Sequence, residues 1–321
     1  MDLLSEAGNR VAAIFDFLDR LVAEEVRLAV QASTLRLALE RGRQEAEREP
    51  LIALLQLTLA VHAGAAGDWR PAVPAAAACH LLYLGADLLD NVNDQELPAQ
   101  WQTWGPDQAV LTACNLLYPL SQLALKRVAA PPEVRQALSV VLAEGALRMA
   151  AGQQEEVFSS RDPAPDPERC LAAVAAKTGA EAEACCRAGA VLVDAPAPEA
   201  DAYAAFGRLY GTAVQLISDC QDIWGKKESP DLANGRRTLP VVHALWSASG
   251  SGRVTLLRLL NTPVSLEQQA GVRDFLTSHG SLIYCALRAS ALRREAAGHL
   301  QMTRGTGEPF LAALLDRLRI V

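Results

Sequence analysis

Apolar residues return at steps of three and four through most of the chain, and the Leu- and Ala-rich stretches contain few alternating β-branched runs. That spacing follows one face of a helix rather than a strand, and Leu and Ala are strong helix formers, so the pattern predicts an all-α protein. Helices are expected near 5–46, 50–65, 72–97, 106–128, 132–159, 167–194, 199–226, 239–248, 252–260, 265–278, 281–303 and 308–319, and the first and sixth spans accommodate a break. Glycine and proline fall between them: Gly64, Gly67 and Pro71, then Pro98, Gly105-Pro106, Pro131-Pro132, the Pro163/Pro165/Pro167 cluster, Pro196/Pro198, and the stretch from Gly235 to Pro240. The gaps are short, no tandem repeat or low-complexity tract interrupts them, and a single domain over 1–321 is expected.

Composition narrows the functional classes. At 321 residues and 50% hydrophobic, the chain is long enough for a substantial core. Thirty basic against 37 acidic residues give a net charge of -7, and no long Lys/Arg run appears, so nucleic acid is set aside. The seven cysteines include no CxxC pair and read as small core residues of a reducing compartment. The segment MDLLSEAGNR lacks a basic region followed by an apolar one, so a cytoplasmic location is expected. Each apolar stretch is interrupted by Asp, His, Arg or Gln before the roughly 18 residues that a bilayer span needs, so no transmembrane segment is expected.

Two acidic clusters carry the chemistry. In GADLLDNVNDQE, Asp87, Asp90 and Asp94 recur at steps of three and four and share a helix face, with Asn91 beside them. Taken alone, such a face reads more simply as solvated. The second cluster changes the balance: in GTAVQLISDCQDIWGKK, Asp219 and Asp222 lie one turn apart among apolar residues, with Gln215 one turn earlier. Burying carboxylates without a partner costs several kcal/mol, so a cation is the economical explanation. The next segment, KKESPDLANGRRTLP, brings Lys226, Lys227, Arg236 and Arg237. Mg2+ prefers oxygen ligands and is usually held by one or two carboxylates plus substrate phosphates, so a diphosphate bridged by Mg2+ between two acidic helices satisfies both clusters. Neutralising the leaving diphosphate then lowers the barrier to C–O cleavage.

These motifs resemble the trans-type polyprenyl diphosphate synthases of the isoprenoid synthase superfamily. DNVND (90–94) is similar to the family's DDxxD motif with Asn91 at the second acid, and SDCQD (218–222) to its second aspartate-rich motif with Ser218 at the first. GQQEE (152–156) resembles a GQxxD stretch with Glu156 as the acid, and Lys177-Thr178-Gly179 matches a KTG triplet. GKKESPDLANGRRTLP (225–240) resembles GKxxxxDLxxGKxTLP, which implies fixed roles for Lys226, Asp231, Arg236 and Thr238. The resemblance runs in order from about residue 50 to about residue 300. It implies an all-helical isoprenoid synthase bundle with a central cavity and an allylic prenyl diphosphate substrate. Mg2+, three ions when substrate is bound, would sit on Asp90, Asp94, Asp219 and Asp222. Lys177, Lys226 and Arg236 would hold the diphosphate, and Thr178 and Gln215, with Lys177, would line the ionising carbon.

The pattern fails where isopentenyl diphosphate should bind. A GGKRxRP segment and an Arg-Arg pair are replaced by QEAEREP (44–50) and PAQW (98–101), which keep Pro50 but have no Lys, no Arg pair and extra Glu residues. Each missing charge-assisted hydrogen bond is worth about 1.5–3 kcal/mol, so a second diphosphate is a doubtful ligand. Trp101 after the acidic segment is closer to the branch that prenylates peptide pheromones, and terpene cyclases also lack a second substrate. Gly85 and Ala86 stand where short-chain members carry bulky residues, which implies an open pocket and a donor of about fifteen carbons or more. The expected function is therefore Mg2+-dependent ionisation of an allylic prenyl diphosphate, with a non-standard acceptor or cyclisation. A catalytically reduced partner subunit of a prenyl diphosphate synthase is the alternative, and a lipid-binding helical protein a third. The family implies a homodimer, for which Ala-rich segments within 107–150 are suited.

Overall fold

The computed structural model describes residues 3–49, 54–159, 162, 165–260 and 264–318; Pro50 and Pro163 lie outside them. Every regular element among the described residues is helical, as the periodicity predicts. The first predicted span is two helices, Leu3–Glu25 and Ala29–Arg48, separated at 26–28 where neither Gly nor Pro marks a stop. The second begins later, at Gln56–Ala66. The 106–128 span is Gly105–Asn115, a π-helical turn at Leu116–Leu120, and Ser121–Lys126. Pro119 accounts for that turn, because it has no N–H to donate and its ring crowds the preceding carbonyl. The 167–194 span likewise divides, into Pro167–Val174, a π turn at Ala175–Gly179, and Ala180–Leu192.

The chain clusters into two compact units. One comprises Met1–Ala146, Glu181–Gly207 and His299–Leu314; the other, Leu147–Ala180, Arg208–Gly298 and Leu315–Val321. The first is built round Val73–Asn93, whose Ala75, Ala76, Ala77 and Ala78 are all fully buried, so that neighbouring backbones pack close to it. Gly42 makes one such approach: a Cβ there would stand 2.6 Å from a Leu84 methyl. Elsewhere in the same unit, Gly189 lets Ala180–Leu192 approach Gln56–Ala66, where a Cβ would stand 2.7 Å from Val61 Cβ. By length and composition alone the Arg70–Asn93 stretch, of mean hydropathy 1.5, would qualify as a membrane span. Its 67% burial inside the protein identifies it instead as a core helix.

The second unit has two apolar clusters. Ile223, Leu232, Val241, Leu245, Leu256 and Leu276 form one, and Leu216, Cys220, Leu239 and Cys285 the other. Both clusters draw on the second acidic helix, so packing fixes the rotation of Ala197–Gly225 and decides which of its side chains turn inward.

Candidate active site

Val73–Asn93 ends on the first acidic motif. Asp94 is the cap residue, its N–H bonded to the Asp90 carbonyl at 2.9 Å; Gln95 follows in the left-handed region at φ 60°, and the Glu96 N–H returns to the Asn91 carbonyl at 2.9 Å. This left-handed helix stop leaves Asp90 and Asp94 half-buried in the last turn. Carboxylates there face the negative end of the helix dipole and each other, so the turn gains from any cation that arrives.

Asn91, which replaces an acid of the resembled motif, is turned back. Its amide donates to the Asp87 carbonyl at 2.6 Å and to the Asp87 carboxylate at 3.1 Å. Arg41 approaches the same carboxylate at 3.2 Å while bonded to Glu45 at 2.9 Å. Burial pushes the Asp87 carboxyl up to about 6 despite the opposing pull of Arg41. Ala86 shares a helix face with Asp90, whereas Gly85 lies away from it. A Cβ on Gly85 would stand 2.6 Å from Leu117 Cγ and 3.1 Å from the Ala113 carbonyl, so this glycine serves helix packing.

In the second unit the predicted residues form a relay. The Thr178 hydroxyl donates to Gln215 Oε1 at 2.9 Å, and Gln215 Nε2 donates to Asp219 Oδ1 at 2.8 Å. Asp219 is 5% exposed, and burial, reinforced by the nearby Asp231 carboxylate and partly offset by Gln215, pushes its carboxyl up to about 8. The π turn presents Lys177 and Thr178 side by side, and two glycines permit it. A Cβ on Gly152 would stand 2.6 Å from the Lys177 backbone nitrogen, and one on Gly179 would stand 2.7 Å from Thr212 Oγ1. Lys177 bonds Glu156 at 3.0 Å.

Asp222, also buried, anchors the following loop: it accepts from Lys226 Nζ, the Ser229 hydroxyl and, at 3.1 Å, the Asp231 N–H. Ser229 caps the short Pro230–Ala233 helix, and Arg236 pairs with Asp231 at 3.5 Å. Thr238 precedes Leu239–Ser247, its hydroxyl buried without a hydrogen-bond partner among the described residues. Gly235 is required, at φ 64°, since a Cβ would stand 2.2 Å from the Leu260 carbonyl. Two anchors were absent from the sequence reading. Arg273 donates to the carbonyls of Ile223, Lys226 and Lys227 at 2.6, 3.1 and 3.2 Å, closing the end of the acidic helix, and Gln269 accepts from the Ser229 N–H at 2.9 Å. No spacing signals a partner some forty to fifty residues away.

Among the described residues no three His, Cys, Asp or Glu side chains form a ready-made metal group. Mg2+ asks for less: one or two carboxylates, with water and substrate phosphate completing the shell. The carboxylates at a helix C-terminus and the desolvated Asp219 both gain from a divalent cation, so these residues fit it.

Residues 53–274 match the polyprenyl synthetase family. The chain is similar to (2E,6E)-farnesyl diphosphate synthase of Mycobacterium tuberculosis, 30% identical over 254 residues that cover 75% of this chain and 68% of that protein. It is also similar to a geranylgeranyl diphosphate synthase of the same organism, 30% identical over 228 residues that cover 65% and 62%. In fold it resembles geranylgeranyl pyrophosphate synthetase from Pyrococcus horikoshii, with a TM-score of 0.86 and 21% identity over 98% of this chain and 97% of that one. With the acidic turn, the relay and the anchored basic loop in place, the chain belongs to the polyprenyl synthetase family, the trans-type prenyltransferases of the isoprenoid synthase superfamily.

Proposed function

We propose that this prenyltransferase binds an allylic prenyl diphosphate with Mg2+, ionises it, and directs the cation to a non-standard acceptor or to cyclisation. The observation that carries the reading is the relay from Thr178 through Gln215 to the buried Asp219. It fixes a hydroxyl, an amide and a carboxyl that feels Lys177, at positions where the family resemblance places the ionising carbon and its metal. Asp90, Asp94, Asp219 and Asp222 would hold Mg2+, which when bound neutralises the departing diphosphate oxygens. Lys177, Lys226 and Arg236 add positive charge for the same group, and a donor must draw Lys177 away from Glu156 and Lys226 away from Asp222.

The acceptor side is supported by what replaces the basic segments. Ala46 is 5% exposed within the helix core, and Glu47 and Glu49 are exposed acids on its solvent side. Trp101 is 1% exposed in the turn after the acidic motif. The first stretch offers one cation, the exposed Arg48, and the second none, fewer than a second diphosphate needs. Ala86, rather than the packed Gly85, is the small wall residue that would admit a donor of about fifteen carbons or longer. Exposed Leu28, Val30, Leu111 and Tyr118 flank a 2.8 Å bond between Gln31 and Asn115, and this apolar face supports a homodimer. Seven free thiols suit a reducing cytoplasm.

A second reading, a catalytically reduced partner subunit, is favoured by one observation: Asn91, at an acid position of the motif, is turned back onto Asp87. Labelled farnesyl or geranylgeranyl diphosphate with Mg2+, with and without isopentenyl diphosphate, separates the two. Diphosphate release without isopentenyl diphosphate is expected. Release only in its presence restores ordinary elongation, and Mg2+-dependent binding without release leaves the partner subunit.

A further inference from the structure

Asn91 is held by two acceptors of a single residue. Its amide meets the Asp87 carbonyl at 2.6 Å and the Asp87 carboxylate at 3.1 Å. A carbonyl can only accept, so the atom facing Asp87 is Nδ2, and the opposite end of the amide is Oδ1. Asn91 is half-buried, and its Oδ1 accepts no hydrogen bond among the described residues. The Asn91 carbonyl meanwhile takes the Glu96 N–H at 2.9 Å in the helix stop, so backbone and side chain are both fixed here.

Asp87 is in turn held from the neighbouring helix. Arg41, on Ala29–Arg48, brings Nη2 to 3.2 Å from Oδ2, the same carboxylate oxygen that Asn91 meets, and its Nε donates to Glu45 at 2.9 Å. The two helices approach closely beside it, where a Cβ on Gly42 would stand 2.6 Å from a Leu84 methyl and 3.2 Å from His80 Nε2. Arg41 Nη1 is buried without a hydrogen-bond partner among the described residues. The guanidinium surrenders hydration to sit there, and its contacts with Asp87 and Glu45 offset the loss. Arg41, Asp87 and Asn91 thus form one chain of contacts from Ala29–Arg48 into the first acidic turn, all within the first unit. The acid that DDxxD carries at the second position is absent, and an acid stands one helical turn earlier, in contact with the residue found in its place. The turn itself sets two carboxylates, Asp90 and Asp94, against the negative end of the helix, where the full motif sets three.

We propose that Arg41 and Asp87 are positioning residues for the first acidic motif: they clamp the Asn91 amide so that Oδ1, a neutral oxygen, serves Mg2+ or one of its waters in place of the missing carboxylate. The proposal rests on the donor-ionisation reading above. Mg2+ takes oxygen ligands and keeps several waters, so an amide oxygen suits either the ion or its shell. An unrestrained amide could turn its NH2 towards the cation instead, and the bonds to Asp87 prevent that. Restoring the family's acid should then do harm. Asn91→Asp replaces a donor by an acceptor, sets two carboxylates against each other across one helical turn, and leaves Arg41 with one more acid to neutralise. Exchanging the pair, Asp87→Asn with Asn91→Asp, keeps one donor facing one acceptor and leaves the total charge unchanged. The contact that would mark a disabled motif is, on this proposal, what keeps the motif working.

The test measures the Mg2+ concentration that half-saturates thermal stabilisation of the full chain at fixed inorganic diphosphate, alongside the Mg2+ dependence of diphosphate release from labelled farnesyl diphosphate. Loss of a residue that orients a metal ligand costs about tenfold to a hundredfold in metal affinity, so Asn91→Asp should raise the half-saturating Mg2+ by about tenfold or more. The double exchange should bring it back to within about threefold of wild type. Arg41→Gln should raise it by about tenfold, and Arg41→Lys should recover part of that loss. If Asn91→Asp binds Mg2+ as tightly as wild type, or more tightly, the proposal is overturned and the catalytically reduced subunit is supported, its motif repaired by the acid. A double exchange no better than Asn91→Asp, or variants that lower only the metal-free melting midpoint, make the network a helix-packing device and overturn the proposal as well. A wild-type protein that neither gains stability from Mg2+ with diphosphate nor releases diphosphate overturns the donor-ionisation reading instead, and this inference with it.

Discussion

The two acidic motifs look alike in sequence and are in different physical states. Asp90 and Asp94 stand half-buried at the end of a helix, where dipole and mutual repulsion act against them. Asp219 and Asp222 sit inside a helix, 5% and 8% exposed, each held by hydrogen bonds from named donors. The first lies at the negative end of a helix dipole, with Asp94 accepting from Asn93 Nδ2 at 3.2 Å, whereas the second is desolvated in a helix interior. Spacing of acids along a helix therefore identifies a candidate metal site, but not what the protein spends in stability to keep it.

The sharpest way to break this comparison is to remove one acid from each side. Asp90→Ala and Asp219→Ala should each reduce Mg2+-dependent diphosphate release by about a hundredfold to a thousandfold, the scale on which preorganised charge stabilisation acts. If only one variant loses activity, the motifs do not share a function. Glu181 is the next control, since it belongs to neither motif yet is buried like Asp219. Its carboxyl is raised above the unfolded value, so the native state holds a proton that the unfolded chain releases. The stability that this proton confers is complete below the unfolded value and is lost as pH rises towards about 8. Thermal melts of metal-free protein should therefore fall in midpoint from pH 5 to pH 8, and Glu181→Gln should flatten that fall. An equal slope in the variant assigns the pH dependence to other groups.

Gln215 tests the relay itself. Gln215→Leu leaves Asp219 without its 2.8 Å donor and Thr178 without its acceptor. An unsatisfied buried polar group costs about 1–3 kcal/mol, which corresponds to about tenfold to a hundredfold in kcat/KM if the relay orients the site. A loss confined to KM would mean that the relay binds donor without orienting it.

The helices and both acidic motifs were legible because Leu and Ala impose a 3.6-residue period with little competing β-branched patterning. A break in the first span was expected, but its place at 26–28 was not, since no Gly or Pro there marks it. A break in the sixth span was expected, but not its form as a π turn at Ala175–Gly179, beside which Gly152 packs close to the Lys177 backbone. Gly85 illustrates the limit on the site side. It precedes Asp90 by five residues and seemed to belong to the pocket wall, but a half turn of helix separates the two faces, and Leu117 fills the space beside it. Arg273 and Gln269 carry no motif, because each draws its role from neighbours distant in sequence.

The smallest effect separates the two motifs most cleanly. Asp90→Asn removes one carboxylate from the negative end of Val73–Asn93 and relieves its repulsion from Asp94 and Asp87. Charge placed against a helix end is worth about 0.3–1 kcal/mol at low ionic strength, so the metal-free variant should be more stable than wild type by that amount. Salt screens exposed charge over about 10 Å at 0.1 M, and the gain should shrink as salt is added. Mg2+ with a diphosphate should reverse the order, stabilising the wild-type protein and leaving the variant behind, since ligand binding to the native state alone raises its stability. Melts of both proteins at low and high salt, with and without Mg2+ and inorganic diphosphate, measure all of this. A variant no more stable than wild type at low salt would show that the Asp90 charge is already compensated, and that the first motif, like the second, is held by its neighbours rather than strained by its position.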